Sequence, residues 1–131
     1  MRSTRWAAVV ASVLVLLAVG CRGSVPVYNV TDAPVAASKS NPSLDEVGKA
    51  IQRAGAGLGW QMKETKPGHI IATLQISGHV AVVDVNYSVK SYSIRYKDSI
   101  ELNYSGQNIH RNYNVWIQNL DKEIRAQLSS L

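Results

Sequence analysis

The sequence predicts an α+β fold: a two-layer sandwich, with a four-stranded antiparallel meander carrying two helices on one face in the order α-β-β-β-β-α. Three observations predict it. Consecutive stretches between Trp60 and Tyr104 alternate apolar and polar residues with the period of two expected of half-buried strands. Short turn sequences separate them, which makes neighbouring strands antiparallel. A stretch with apolar residues at helical spacing stands on either side.

The first helix is read in "SLDEVGKAIQRAGAGLG". Ser43, followed three residues later by Glu46, has the pattern of a capping box. Leu44, Val47, Ile51 and Ala54 recur on one helical face. Gly55, Gly57 and Gly59 are expected to end the helix, because each glycine inside one costs about 1 kcal/mol. "GAGLG" does not fit the phosphate-binding pattern G-x-G-x-x-G, and it follows a helix rather than a strand.

Four strands follow. "WQMKET" puts Trp60 and Met62 on one face, and "HIIATLQIS" does the same for Ile70, Ala72, Leu74 and Ile76. "VAVVDVNYS" aligns Ala81, Val83, Val85 and Tyr87. "YSIRYKDSIELNY" aligns Tyr92, Ile94, Tyr96, Ile100, Leu102 and Tyr104. A hairpin loop at Lys66–Gly68 places Met62 opposite Ala72. A two-residue turn at Ser77-Gly78 places Leu74 opposite Ala81 and Ile70 opposite Val85. A turn at Lys90-Ser91 places Tyr87 opposite Ile94 and Val85 opposite Tyr96. In this register all four apolar sets share a face, and a slip of one residue would turn a set out to solvent. The other face shows Lys63, Thr73, Gln75, Asp84, Asn86, Arg95 and Lys97, with Asp84 opposite Lys97. The last element, "NIHRNYNVWIQNLDKEIRAQLSSL", carries Ile109, Tyr113, Trp116, Leu120 and Ile124 down one side, as an amphipathic helix of about five turns would.

The folded domain is expected over residues 43–131. Residues 21–42, rich in Ser, Ala, Val and Pro, read as a flexible tether with a typical reach of about 25 Å, although "VPVYNV" has the composition to add an edge strand. Ahead of them, "MRSTRW" carries Arg2 and Arg5, and Trp6 to Gly20 is uncharged and apolar apart from Ser12. A basic start, a short apolar run and small residues at its end describe a secretory signal over residues 1–20. As a helix the run spans about 22 Å, short of the roughly 30 Å of a bilayer core.

The only cysteine in the chain, Cys21, follows this run in "LAVGC". The motif resembles the lipobox of bacterial lipoprotein precursors, with Gly20 at the last position before cleavage. Ala18 stands where Leu is more common. The resemblance implies that Cys21 carries a diacylglyceryl thioether and, after cleavage, an acylated amine. Two or three chains anchor a protein firmly, whereas one binds only marginally. Arg22 stands where an Asp would retain such a protein in the inner membrane of enteric-type bacteria. The family rule therefore implies the outer membrane, facing the periplasm. The segment "YKDSIELNYSGQNIHRNYNVWIQNLDKEI" is similar to the C-terminal part of small uncharacterised lipoproteins of Gram-negative bacteria, and that similarity implies no particular activity.

With one cysteine, neither an intrachain disulfide nor a cysteine-based metal site is available. Lys and Arg number 14 against 9 Asp and Glu, for a net charge of +5. They are scattered rather than clustered, which argues against a nucleic-acid footprint. His69 and His79 flank one strand and stand roughly 26 Å apart, too far to share a metal. These two and His110 read as turn or surface residues. There is no G-x-S-x-G, and "ISGH" reads as a turn. Asp84 and Asp98 are the acids a hydrolase would draw on, without any feature that singles them out. The tyrosines Tyr87, Tyr92, Tyr96, Tyr104 and Tyr113, with Trp60 and Trp116, supply the large aromatic packing of a chain that lacks Phe. Turned outward, they would make a glycan platform.

The expected function is that of a lipid-anchored, non-catalytic module of the cell envelope that binds a protein partner. Asp84, Arg95 and Lys97 are its candidate surface, the outer side of the last helix is a second, and no cofactor, metal or nucleic acid is expected. The alternative is a peptidoglycan- or glycan-binding module.

Overall fold

The computed structural model describes residues 23–131. Residues 1–20, expected to be a signal segment, and Cys21, expected to carry the lipid, lie outside the described residues. The elements run β1 (Ser24–Pro26), β2 (Val30–Pro34), α1 (Leu44–Gly57), β3 (Gln61–Lys66), β4 (His69–Ile76), β5 (His79–Tyr87), β6 (Ser91–Ile100), β7 (Asn108–His110) and α2 (Arg111–Ser129). The class is α+β. The main sheet has five strands rather than the expected four, in the order β2-β6-β5-β4-β3, and a second sheet pairs β1 with β7.

Alternation builds the core. Ile70, Ala72, Ala81, Val83, Val85 and Ile94 project from one sheet face and are fully buried. Against them lie Val47, Ala50, Ile51 and Ala54 of α1 and Tyr113, Ile117, Leu120 and Ile124 of α2, also fully buried. Ser43 caps α1 as the sequence predicts: its hydroxyl accepts from the Glu46 N–H, and the Glu46 carboxylate accepts from the Ser43 N–H.

Four expectations are corrected. First, α1 continues through Gly55 and Gly57 and ends at Leu58. Gly55 lies against Met62 of β3, so the missing side chain is what lets helix and strand approach.

Second, the β5–β6 turn lies one residue earlier. Ser88 N–H donates to Ser91 O, and the Ser88 hydroxyl accepts from the N–H groups of Lys90 and Ser91. These bonds centre the turn on Val89-Lys90, so Tyr87 faces Tyr92, Val85 faces Ile94 and Asp84 faces Arg95. The register moves by two residues, which leaves the β6 side chains up to Tyr96 on their expected faces. The registers Met62↔Ala72, Ile70↔Val85 and Leu74↔Ala81 are as expected.

Third, β6, expected to run on through Leu102 and Tyr104, ends at Ile100. A bulge opposite Val82/Val83 inverts the alternation beyond Tyr96 and turns Ile100 outward at 57 % exposure. Glu101 and Asn103, with φ of 58° and 52°, then turn the chain.

Fourth, residues 24–34 are not a tether. β1 pairs with β7, and β2 adds to the edge of β6. Val30 and Ala33, buried to 5 % and 6 % exposure, supply the reason: they close a part of the core that the four-stranded sheet would leave open. Lys39 N–H donates to Leu131 O and the Ser38 hydroxyl to Ser129 O, which ties the following loop to the end of α2.

Antiparallel strands give the molecule two poles. At one, the end of α1, the β4–β5 turn, the end of β6, the β1–β7 ribbon and the start of α2 come together. At the other, the start of α1, the β3–β4 and β5–β6 turns and the end of α2 meet.

Candidate functional site

The sheet face turned away from the helices carries a chain of polar groups centred on Asp84. Asp84 stands on β5 directly opposite Ile71 of β4 and Arg95 of β6. Diagonal neighbours on one sheet face lie within reach of long side chains, and here that places His69 beside Asp84. His69 Nε2 is 2.7 Å from Asp84 Oδ1. Lys97 Nζ is 3.8 Å from the same oxygen. On the other side of the ring, His69 Nδ1 is 2.5 Å from the Thr65 hydroxyl. Thr65 is placed there by a bulge between Glu64 and Lys66 in β3.

Proton positions follow from the donor inventory. An ionised carboxylate only accepts, so a neutral His69 donates from Nε2 to Asp84 and accepts at Nδ1 from the Thr65 hydroxyl. The order is hydroxyl, imidazole, carboxylate, ammonium. Such a chain can polarise a threonine hydroxyl, but acyl transfer also needs a concave site and donors around a developing oxyanion. Thr65 is exposed on the pleated surface of an edge strand. What the arrangement does without further groups is hold His69 and Asp84, both only partly exposed, in fixed orientations beside the exposed Arg95 and Lys97. Half-buried Ile71 and Val82 lie among them.

Of the residues singled out in the sequence, Asp84, Arg95 and Lys97 are brought together. The expected Asp84–Lys97 pair forms, although diagonally rather than face to face. Asp98 lies opposite Val82 on the same face, with its carboxylate accepting from the Ser99 N–H. The aromatic residues are divided. Tyr87, Tyr92, Tyr113 and Trp60 are buried, whereas Tyr104 is exposed and stacks on half-buried Tyr96 with ring centroids 3.9 Å apart.

His69 stands on the sheet surface beside the β3–β4 turn, and both its ring nitrogens are bonded. His79 Nδ1 is 2.8 Å from Glu101 O, and His110 Nδ1 caps α2 by accepting from the Asn112 N–H. Sequence reasoning missed His69 as the partner of Asp84, and Thr65 as the partner of His69. The signal for His69 was available, because the β4–β5 register puts it diagonal to Asp84. Thr65 depends on the bulge, which alternation cannot reveal.

Burial pushes the Tyr87 hydroxyl above its ordinary value, and its bond to Glu64 adds to the shift. Tyr87 lies at the pole away from β1, where a cleft of about 240 Å³ is lined by Leu44, Asp45, Glu64, Pro67 and Tyr87. At the β1 pole, a cleft of about 210 Å³ is lined by Leu58, Trp60, Leu74, Ile76, Trp116 and Asn119. Among the described residues there is no group of three or more His, Cys, Asp or Glu able to hold a metal ion, and no helix long and apolar enough to cross a membrane. No protein-family model, curated protein or solved structure matches the chain.

Proposed function

We propose that this chain is a periplasm-facing lipoprotein of the outer membrane, anchored through Cys21, whose domain is a non-catalytic module that binds a protein partner through the open face of its sheet. The observation that carries the reading of the domain is the fixed cluster of His69, Asp84 and Lys97 beside Arg95, set around half-buried Ile71 and Val82. A protein interface joins an apolar centre to a polar rim with oriented hydrogen-bonding groups, and this face offers both on rigid strands. The anchor rests on the lipobox resemblance alone. Replacing Cys21 by Ala is expected to abolish incorporation of labelled fatty acid; labelling that persisted in that variant would remove the anchor.

The partner is tested by photo-crosslinking in cells, with the reactive residue at Arg95 and, in parallel, at Gln118 on the exposed side of α2. A discrete protein adduct from Arg95 and none from Gln118 is expected. An adduct from Gln118 alone would move the function to the helix layer, and adducts from neither would sink the reading.

A second reading, a glycan-binding module, is favoured by one observation, the exposed Tyr104 ring stacked on Tyr96. It requires retention on purified peptidoglycan at low salt that is lost on Tyr104→Ala.

A further inference from the structure

The β1 pole combines two features. The first is where the chain comes in. Gly23 O accepts from the Arg111 N–H, and Ser24 pairs with His110, so the polypeptide is bound to the domain from residue 23 onward. Cys21 precedes Gly23 by two residues, and two residues of chain reach at most about 7 Å. A lipid on Cys21 would therefore be held against this pole rather than at the end of a long tether.

The second feature is the distribution of exposed apolar side chains. Leu58, Ile76, Ile100, Tyr104 and Val115 are 40–57 % exposed. Their positions put them all at or near this pole: Leu58 caps the end of α1, Ile76 precedes the β4–β5 turn, Ile100 ends β6, Tyr104 lies between β6 and β7, and Val115 lies in the second turn of α2. Val89, at 42 %, is at the opposite pole, in the β5–β6 turn. Leu58 and Ile76 line one cleft together with Trp116.

We propose that this pole docks on the phospholipid surface, with Leu58, Ile76, Ile100 and Val115 entering the headgroup–acyl boundary and Tyr104 and Trp116 lying at its level. The proposal rests on the lipid anchor at Cys21. Apolar side chains at the interface sink about 5–10 Å into that boundary, and Tyr and Trp favour the headgroup level. A membrane is the occupant because the short covalent link holds this pole at the lipid, where its effective concentration for the surface is high. Exposed Arg111 and Glu101 carry opposite charges at the same pole, and the proposed contact is made by the apolar side chains. Docking at the β1 pole leaves the open sheet face, which runs along the strands between the poles, free for a partner.

The test uses the lipidated protein purified from membranes and placed in phosphatidylcholine vesicles. Spin labels are attached at Ile76→Cys, Ile100→Cys, Val115→Cys and Val89→Cys, one per protein; the lipidated Cys21 thiol does not compete. The expected result is an oxygen-to-nickel-chelate accessibility ratio several-fold higher at the first three sites than at Val89. Equal, water-like ratios at all four sites would overturn the docking while leaving the lipoprotein reading intact. Loss of access to both reagents at the first three sites would mean that protein, such as a second copy of the chain, covers the pole, and would also overturn it. Mass measurement of the N-terminal peptide separates the two readings: absence of the diacylglyceryl group from Cys21 would remove the anchor and the docking with it.

Discussion

Tyr92 and Tyr113 are buried in the same core, yet their hydroxyls have opposite roles. The Tyr92 hydroxyl donates to Asp121 Oδ1, whose other oxygen accepts from Arg125 Nε at 3.1 Å. The Tyr113 hydroxyl has no hydrogen-bond partner among the described residues. Tyr92→Phe leaves a buried carboxylate short of a donor and is expected to cost about 1–3 kcal/mol in urea unfolding. Tyr113→Phe removes a buried unpaired group and is expected to leave stability unchanged or raised. Equal losses in the two variants would contradict this division of roles. Gly48 is a third such residue. A Cβ there would lie 2.9 Å from Tyr87 Cζ, and the ring is held by its hydroxyl's bond to Glu64. Gly48→Ala gains about 1 kcal/mol of helix propensity but overpacks a fixed ring at a typical cost of about 1–3 kcal/mol. A net fall in the urea midpoint is expected. Alternation in the sequence puts the tyrosines on the core side. It cannot show which hydroxyl has a partner, because Asp121 is 29 residues from Tyr92 in sequence and on another element.

Among the elements, α1 has the most locally determined boundary. Its capping box joins residues three apart and is legible in the sequence alone. Ser43→Ala is expected to cost about 1 kcal/mol, read as a lower urea midpoint. The hydrogen bond from Lys39, followed by that from the Ser43 N–H, lowers the Glu46 carboxyl from 4.5 to about 2. The sign follows from the depressed value: the stabilisation is present above about 4.5 and is lost as pH falls toward 2. Lower protection of the first-turn amides of α1, relative to their intrinsic exchange rate at each pH, would register the loss over that interval, and Lys39→Ala should move its onset to higher pH. The β5–β6 hairpin shows the limit of local reading. Alternation fixes a strand's face but is blind to a register shift of two. Here serine hydroxyl bonds, rather than a favoured turn pair, decide where the turn falls. β1 and β2 show another limit. Three and five residues long, they carry too little alternation to stand out from a Ser- and Pro-rich segment, and only long-range pairing makes them strands.

At the scale of the whole molecule, the sheet order is what local patterns convey least. The meander β3-β4-β5-β6 follows from successive short turns, but β2 on the outside of β6 depends on which edge remains open once both helices are seated. The same packing makes a prediction for alkaline solution. Burial is the largest cause raising Tyr92, Tyr113, Tyr87 and Tyr96 above the ordinary value of 10.0; at Tyr92 and Tyr87 an acceptor carboxylate adds to it, and nearby charges do so at Tyr96 and Tyr113. Below pH 10 these groups are protonated whether the chain is folded or not. Above it the unfolded chain releases protons that the folded chain retains, so stability falls. Thermal melts should drop as pH rises past 10, and tyrosinate absorbance at 295 nm from the buried rings should appear together with unfolding rather than before it.

The pairings that close this fold join residues far apart in the chain: Ser24 with His110, and Lys39 with Leu131. A polypeptide made from its N-terminus cannot form the first contact until His110 has been released, nor the second until Leu131 has. β2 waits for β6, the last strand of the meander, and β1 waits longer, for β7, while α1 and the meander take shape from contacts near in sequence. The last event in folding is thus set by the arrival of α2 rather than by the strands that appear first. A chain stopped before β7 would have β6 available to β2 but would leave β1 without its partner strand, open to proteases and to strands of other copies.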